Sequence, residues 1–237
     1  MGAYNTPRSY SSGGYAASQV GAAWTPANLA NKVIWVKSDT GITASPVASW
    51  ADQSGQGNDL TQSDPTKRPT LVANQLNGYS AVVFDGISQT MRTLAFGLTQ
   101  PVSIFMVAKQ ITWSSGGSLC DGTVDNSGRI FQYTGSPRID MYSGAFGPTT
   151  NNLAVNTFSL ITSIFDGASS KLQINSLTES TGNPGNTSML GFVLGSFATG
   201  ATAFCNLAVC EVIVMNAVAT AEDRANIHLY VAARYGI

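Results

Sequence analysis

Oxygen-bearing side chains crowd into one short stretch. Asp52, Asn58 and Asp59 lie within the run Ser49-Trp50-Ala51-Asp52-Gln53-Ser54-Gly55-Gln56-Gly57-Asn58-Asp59. Hard oxygen ligands this close together suit a calcium ion, which takes carboxylate, amide and backbone oxygens. They also suit a plain structural loop, because Asn and Gly accept positive φ and Asp bonds nearby backbone amides. In that case Trp50 is a core aromatic. A second group, Trp113, Tyr133 and Tyr142 with Phe146, stands among Gly, Ser and Asn. Flat rings beside amide and hydroxyl groups are the chemistry of a sugar site, although the same rings could cover a core or a subunit contact.

Catalytic constellations are sparse. Glycoside hydrolysis needs two carboxylates flanking one bond. Glu179, Glu211 and Glu222 have no such spacing, and Asp121, Asp125 and Asp140 fall in turn-rich sequence with no strand-borne pair. His228 is the single histidine, and neither a Gly-x-Ser-x-Gly nor a phosphate loop occurs. Cys120, Cys205 and Cys210 form an odd set without metal spacing. Residues 205 and 210 sit five apart, so on a strand they point to opposite faces. Reduced thiols filling core space are expected.

The elements that must hold these residues read as strand after strand. Val33-Ile34-Trp35-Val36, Ala81-Val82-Val83-Phe84, the run 102–108, the run 160–165 and the run 207–215 are apolar and bounded by Gly, Pro, Asn or Asp. Several are apolar at nearly every position, as strands covered on both faces are. One helix is predicted over about 220–234, with Thr220 and Asp223 as a capping box and Ile227, Tyr230 and Val231 on one face.

Taken together, the run 49–62, Asn77-Gly78, Phe84-Asp85-Gly86, the stretch Glu211-Val212-Ile213-Val214 and the closing Arg234-Tyr235-Gly236 resemble a concanavalin A-like (laminin-G-like) domain, over roughly residues 30–237. The resemblance implies an all-β fold: a two-sheet antiparallel jelly-roll sandwich with a short C-terminal helix. It also implies a type common in phage virion proteins and bacterial surface proteins. Laminarinase-type glucanases share the sandwich but carry Glu-x-Asp-x-x-Glu on one strand, and this chain does not, so no enzyme is expected.

Composition narrows the partners. Only 11% of residues are charged and the net charge is −1, with twelve basic residues scattered along the chain. Nucleic acid, which needs clustered Lys and Arg, is therefore not an expected partner. No segment is long and apolar enough for a membrane helix. Residues 1–31 form a separate region, rich in Gly, Ser, Ala and Tyr and nearly uncharged. Tyr4, Tyr10, Tyr15 and Trp24 suit an extended assembly arm docking on a neighbouring subunit, and residues 32–237 make the sandwich.

The resulting expectation is a non-enzymatic bacteriophage virion protein, as head decoration or a collar or tail appendage. It is made in the host cytoplasm, since no signal sequence opens the chain. Its partners are other virion proteins and copies of itself, with host glycans as ligands and no cofactor other than calcium at 52–59. A cell-surface or extracellular carbohydrate-binding module is the alternative, and a glycoside hydrolase without the usual paired Glu is the third reading.

Overall fold

The computed structural model describes residues 24–237. Sixteen strands, numbered in chain order, build two sheets of eight. The first sheet contains β1 (Lys32–Lys37), β4 (Thr70–Leu76), β5 (Tyr79–Asp85), β7 (Val102–Gln110), β12 (Ser159–Phe165), β13 (Ser170–Ile174), β14 (Ser180–Gly182) and β16 (Asn206–Met215). The second contains β2 (Ser49–Trp50), β3 (Leu60–Thr61), β6 (Met91–Arg92), β8 (Ser118–Asp121), β9 (Arg129–Gln132), β10 (Ile139–Tyr142), β11 (Phe146–Thr150) and β15 (Val193–Leu194). Neighbouring strands pair antiparallel in both sheets. The two-sheet antiparallel sandwich read from the sequence is therefore the fold.

Alternation of side chains along each strand sorts residues between two apolar layers. Between the sheets lie Ile34, Trp50, Leu60, Phe84, Ile104, Met106, Ile130, Met141 and Leu207, all fully buried. Trp50, as expected, is a core ring, and its indole N–H donates to the Lys37 carbonyl at 2.8 Å. On the outer face of the first sheet, Trp35, Phe105, Val107, Ile213 and Met215 meet Ile227, Val231 and Tyr235 of the helix α1 (Ala221–Tyr235). Thr220 caps α1 by accepting the Asp223 amide, and Asp223 reaches back to the Thr220 amide. Gly236 ends it in the left-handed region at φ 74°. The sandwich thus has one helix-covered face and one face, that of the second sheet, without such a cover among the described residues.

A bulge sets the chemistry beneath the helix. β16 pairs with β7 along its length, but the register shifts between Val209 and Glu211. On its other side β16 pairs first with β5 and then, from Glu211 onward, with β1. The extra residue, Cys210, lets both Cys210 and Glu211 leave the inner core, since a bulge places two residues opposite one. Cys205 belongs to the inner layer and Cys210 to the outer, which matches the expected opposite faces. All three cysteines are buried free thiols, and burial pushes the Cys205 and Cys210 thiols up to about 12.

Candidate carbohydrate-binding face

Strands β9, β10 and β11 place an aromatic cluster on the open face of the second sheet. Ile130, Ile139 and Met141 turn into the core. Their sequence neighbours Arg129, Phe131, Asp140 and Tyr142 consequently point outward. Asp140 pairs with Phe131 and Tyr142 with Arg129 across the strands, while Tyr142 also faces Phe146 of β11. Tyr133 and Phe146 lie 4.8 Å apart between ring centres, tilted by 34°. Tyr142 stands edge-on to Phe146 at 5.1 Å, and Phe131 packs against Tyr133 at 5.3 Å. Phe146 is 55% exposed, which is unusual for a phenyl ring.

Two arginines frame the rings. The Arg129 guanidinium lies over Phe131 at 4.2 Å and over Phe197 at 5.0 Å. Its Nε donates to the Ser118 hydroxyl and one Nη to the Gly116 carbonyl, each at 2.6 Å. Burial lowers its pKa, with the Asp121 carboxylate acting in the opposite direction. Arg138 grips Asp140 in a bidentate pair at 2.7 and 2.8 Å and lies over Tyr133 at 5.8 Å. Its pKa is raised, chiefly by the hydrogen bond to Asp140.

Buried amides hold the rim in place. Gln132 donates to the Gln110 side chain and the Thr112 carbonyl, both at 2.9 Å, and accepts the Ser114 amide at 2.9 Å. Gln110 donates to the carbonyls of Leu153 at 2.6 Å and Pro137 at 3.1 Å. These bonds lock the 111–117 and 133–138 loops together, and the Trp113 indole N–H donates to the Arg138 carbonyl at 3.1 Å. Tyr133 and Tyr142 therefore share the Phe146 ring, and Trp113 joins at the edge through Arg138.

Phe131, Arg129 and Phe197 were not singled out from the sequence. The alternation Arg129-x-Phe131-x-Tyr133 was the available signal. Asp121 and Asp140, read as turn residues, instead lie in strands: Asp121 ends β8 and Asp140 is inside β10.

The 52–59 loop is assembled, and both Asp52 carboxylate oxygens are directed at the protein. Asp52 Oδ1 accepts the Trp35 and Ser54 amides, both at 2.8 Å. Oδ2 accepts the Ser54 hydroxyl at 2.6 Å and the Asn58 amide at 3.0 Å. Asp59 accepts the Asp52 amide at 2.8 Å, and the Asn58 side chain donates to the Val33 carbonyl at 2.8 Å. Among the described residues no three His, Cys, Asp or Glu side chains are grouped to hold a metal ion. Tyr4, Tyr10 and Tyr15 lie outside the described residues, and Trp24 stands edge-on to Tyr230 of α1 at 6.2 Å.

Glu211, under α1, is the other concentrated polar group. It is 2% exposed and accepts from the Trp35 indole at 2.6 Å, the Tyr235 hydroxyl at 2.6 Å and the Tyr230 hydroxyl at 3.1 Å. Arg234 approaches it at 3.6 Å and binds Asp39 at 2.5 Å. Burial pushes the Glu211 carboxyl up, against the opposing pull of Tyr235, Trp35 and Arg234. The Glu211 and Arg234-Tyr235 segments, far apart in sequence, thus meet as one network that ties the helix to the sheet.

No family model matches the chain, and no curated protein matches its sequence. Solved structures do match in fold. Trypanosoma rangeli sialidase in complex with sialic acid superposes with a TM-score of 0.60 at 11% identity, covering 86% of this chain and 33% of the sialidase. A GH54 α-L-arabinofuranosidase gives 0.59 at 13% identity over 80% of this chain and 51% of that one. Domain 4 of AbnA, a GH43 extracellular arabinanase from Geobacillus stearothermophilus solved with arabinotriose, gives 0.53 at 13% identity over 78% and 92%. The chain therefore spans about a third of the sialidase it matches. The expectation that it is not an enzyme is corrected by these neighbours, because the same sandwich recurs within glycoside hydrolases. The absence of familiar sequence motifs was too narrow a ground for excluding catalysis.

Proposed function

We propose that the chain is a saccharide-binding β-sandwich module of a carbohydrate-active protein, of concanavalin A-like type. The sugar rings would lie on Tyr133 and Phe146, with Tyr142 standing edge-on beside them. The observation that carries this reading is the open, preorganised aromatic platform with Phe146 exposed at its centre. The apolar face of a pyranose or furanose stacks on such rings, while fixed polar groups at the rim orient its hydroxyls. Trp113 and Arg138 would supply that rim, with the buried Asp140 holding Arg138 in place. The arabinotriose in the arabinanase domain supports a saccharide as ligand. The setting we propose is a bacteriophage particle, with the module displayed towards host glycans and joined to copies of itself and other virion proteins; the resemblance of residues 49–62, 211–214 and 234–236 to such domains supports it.

A glycan array followed by calorimetry tests the platform. Binding of at least one oligosaccharide is expected, and Phe146→Ala should weaken it about tenfold, equivalent to ~1.4 kcal/mol, with unchanged melting temperature. Release of reducing ends in the same mixtures would assign hydrolysis to this domain. An array without any retained glycan, or a variant that binds as well as the parent, would remove the proposal.

A further inference from the structure

Basic residues that look scattered in the sequence converge at the far end of the open face. Arg92 of β6 pairs with Thr61 of β3 on one side and Val193 of β15 on the other. It lines two adjoining clefts. One, of about 280 Å³, also includes Thr61, Gln62, Ser63 and Arg68. The other, of about 270 Å³, adds Lys67, Asp64 and Thr199. Three of the chain's twelve Lys and Arg residues thus share one pair of clefts, in a protein whose net charge is −1.

Hydrogen bonds from Thr66 lower the pKa of the Asp64 carboxylate, and Lys67 and Arg68 lower it further electrostatically, but from beyond ion-pair distance. Among the described residues none of Lys67, Arg68 and Arg92 takes part in an ion pair. Arg68 is fixed by donating to the Gln62 and Ser63 carbonyls, each at 3.0 Å. Arg92 donates to the Ala198 carbonyl, and its Nε is buried without a hydrogen-bond partner. The single carboxylate lining the clefts, Asp64, turns its Oδ1 to the Thr66 amide at 3.0 Å and hydroxyl at 2.8 Å. A buried guanidinium N–H left unpaired is costly, and the guanidinium fork matches a carboxylate, sulfate or phosphate edge.

We propose that this cleft pair is an oxyanion-binding site, separate from the aromatic platform, that takes the carboxylate, sulfate or phosphate group of an acidic ligand. Arg92 would present the part of its guanidinium that lines the clefts, with Lys67, Arg68 and the Ser63 hydroxyl around the anion. The site is independent of the saccharide reading, since its donors lie on β6 and the 62–68 loop rather than on β9 to β11.

Titration of the whole chain by NMR with inorganic sulfate, inorganic phosphate, oligogalacturonate and its neutral methyl ester is the test. Expected are shifts at the amides of 62–64 and 92, with dissociation constants on the order of millimolar for the free anions, weakening as salt rises. Oligogalacturonate binding more tightly than phosphate would identify a saccharide-borne acid as the source, and equal affinities a free anion. Arg92→Gln should weaken binding about tenfold, as loss of a charge-assisted contact does. Ser63→Asp, on an exposed residue, should abolish it through charge cancellation even if the Arg92 variant fails to fold. Phe146→Ala should leave it intact. No shift at 62–64 up to roughly 50 mM anion, far above a millimolar constant, or undiminished binding in Ser63→Asp, would overturn the site.

Discussion

Asp121 shows how a carboxylate can be deeply buried and still fully engaged. It has no exposed surface, and the amides of Gly122, Ser127, Gly128 and Asn126 all point at it, at 2.8 to 3.4 Å. Burial pushes its pKa up to about 6, although those amides pull the other way. Between the ordinary carboxylate range and about 6 the folded protein keeps a proton that the unfolded chain has released. Stability from this group is therefore greatest in acid, falls as pH rises through that window and is flat above it. Relative to Asp121→Asn, the parent should lose on the order of 2–3 kcal/mol between pH 4 and pH 7 in denaturant titrations. A rise over the same range would show that the amides outweigh burial.

At the level of elements, α1 is held to the sandwich by an apolar stripe and by one buried anion. The Cys210 bulge delivers Glu211 to three donors, two of which, Tyr230 and Tyr235, belong to the helix. Removing the carboxylate leaves the Trp35 indole, the Tyr235 hydroxyl and Arg234 facing an apolar void. Glu211→Ala should thus cost about 3–5 kcal/mol, as breaking a buried charged network does. Glu211→Gln keeps the shape and one acceptor, and should cost about 1–3 kcal/mol. Hydrogen exchange should show the loss first in the helix amides of both variants. Equal protection in helix and sheet would mean that the network does not anchor α1 separately.

Across the whole molecule, legibility followed the range of the interactions. Local signals were readable: apolar runs between turn residues marked the long strands, Thr220 and Asp223 marked the start of the helix, and Trp50 was placed in the core. Long-range ones were not. The short strands β8 to β11 lie in turn-rich sequence and were not read, and register shifts in β8 and β10 change which side chains face outward, so the Phe131–Phe146 surface they create was hidden too. Lys67 and Arg92 are brought together by the pairing of β3 with β6 and by the Thr90 amide donating to the Lys67 carbonyl. Glu211 and Tyr235 meet only because a helix folds back over the strand that precedes it. The position of β16 has a further consequence, for biosynthesis. This segment lies between β7 and β5 and also receives β1, so the centre of the first sheet is supplied by residues 206–215 while its partners lie within 32–110. Translation therefore lays down β1, β5 and β7 well before the strand that joins them exists. Until the ribosome has passed residue 215, those apolar strands have unpaired edges, and nascent chains in that state are prone to aggregate. Ribosome-bound chains halted before 206 should be protease-sensitive and chaperone-bound, and those extended beyond 237 protected; early protection would mean that the first sheet can form without its centre.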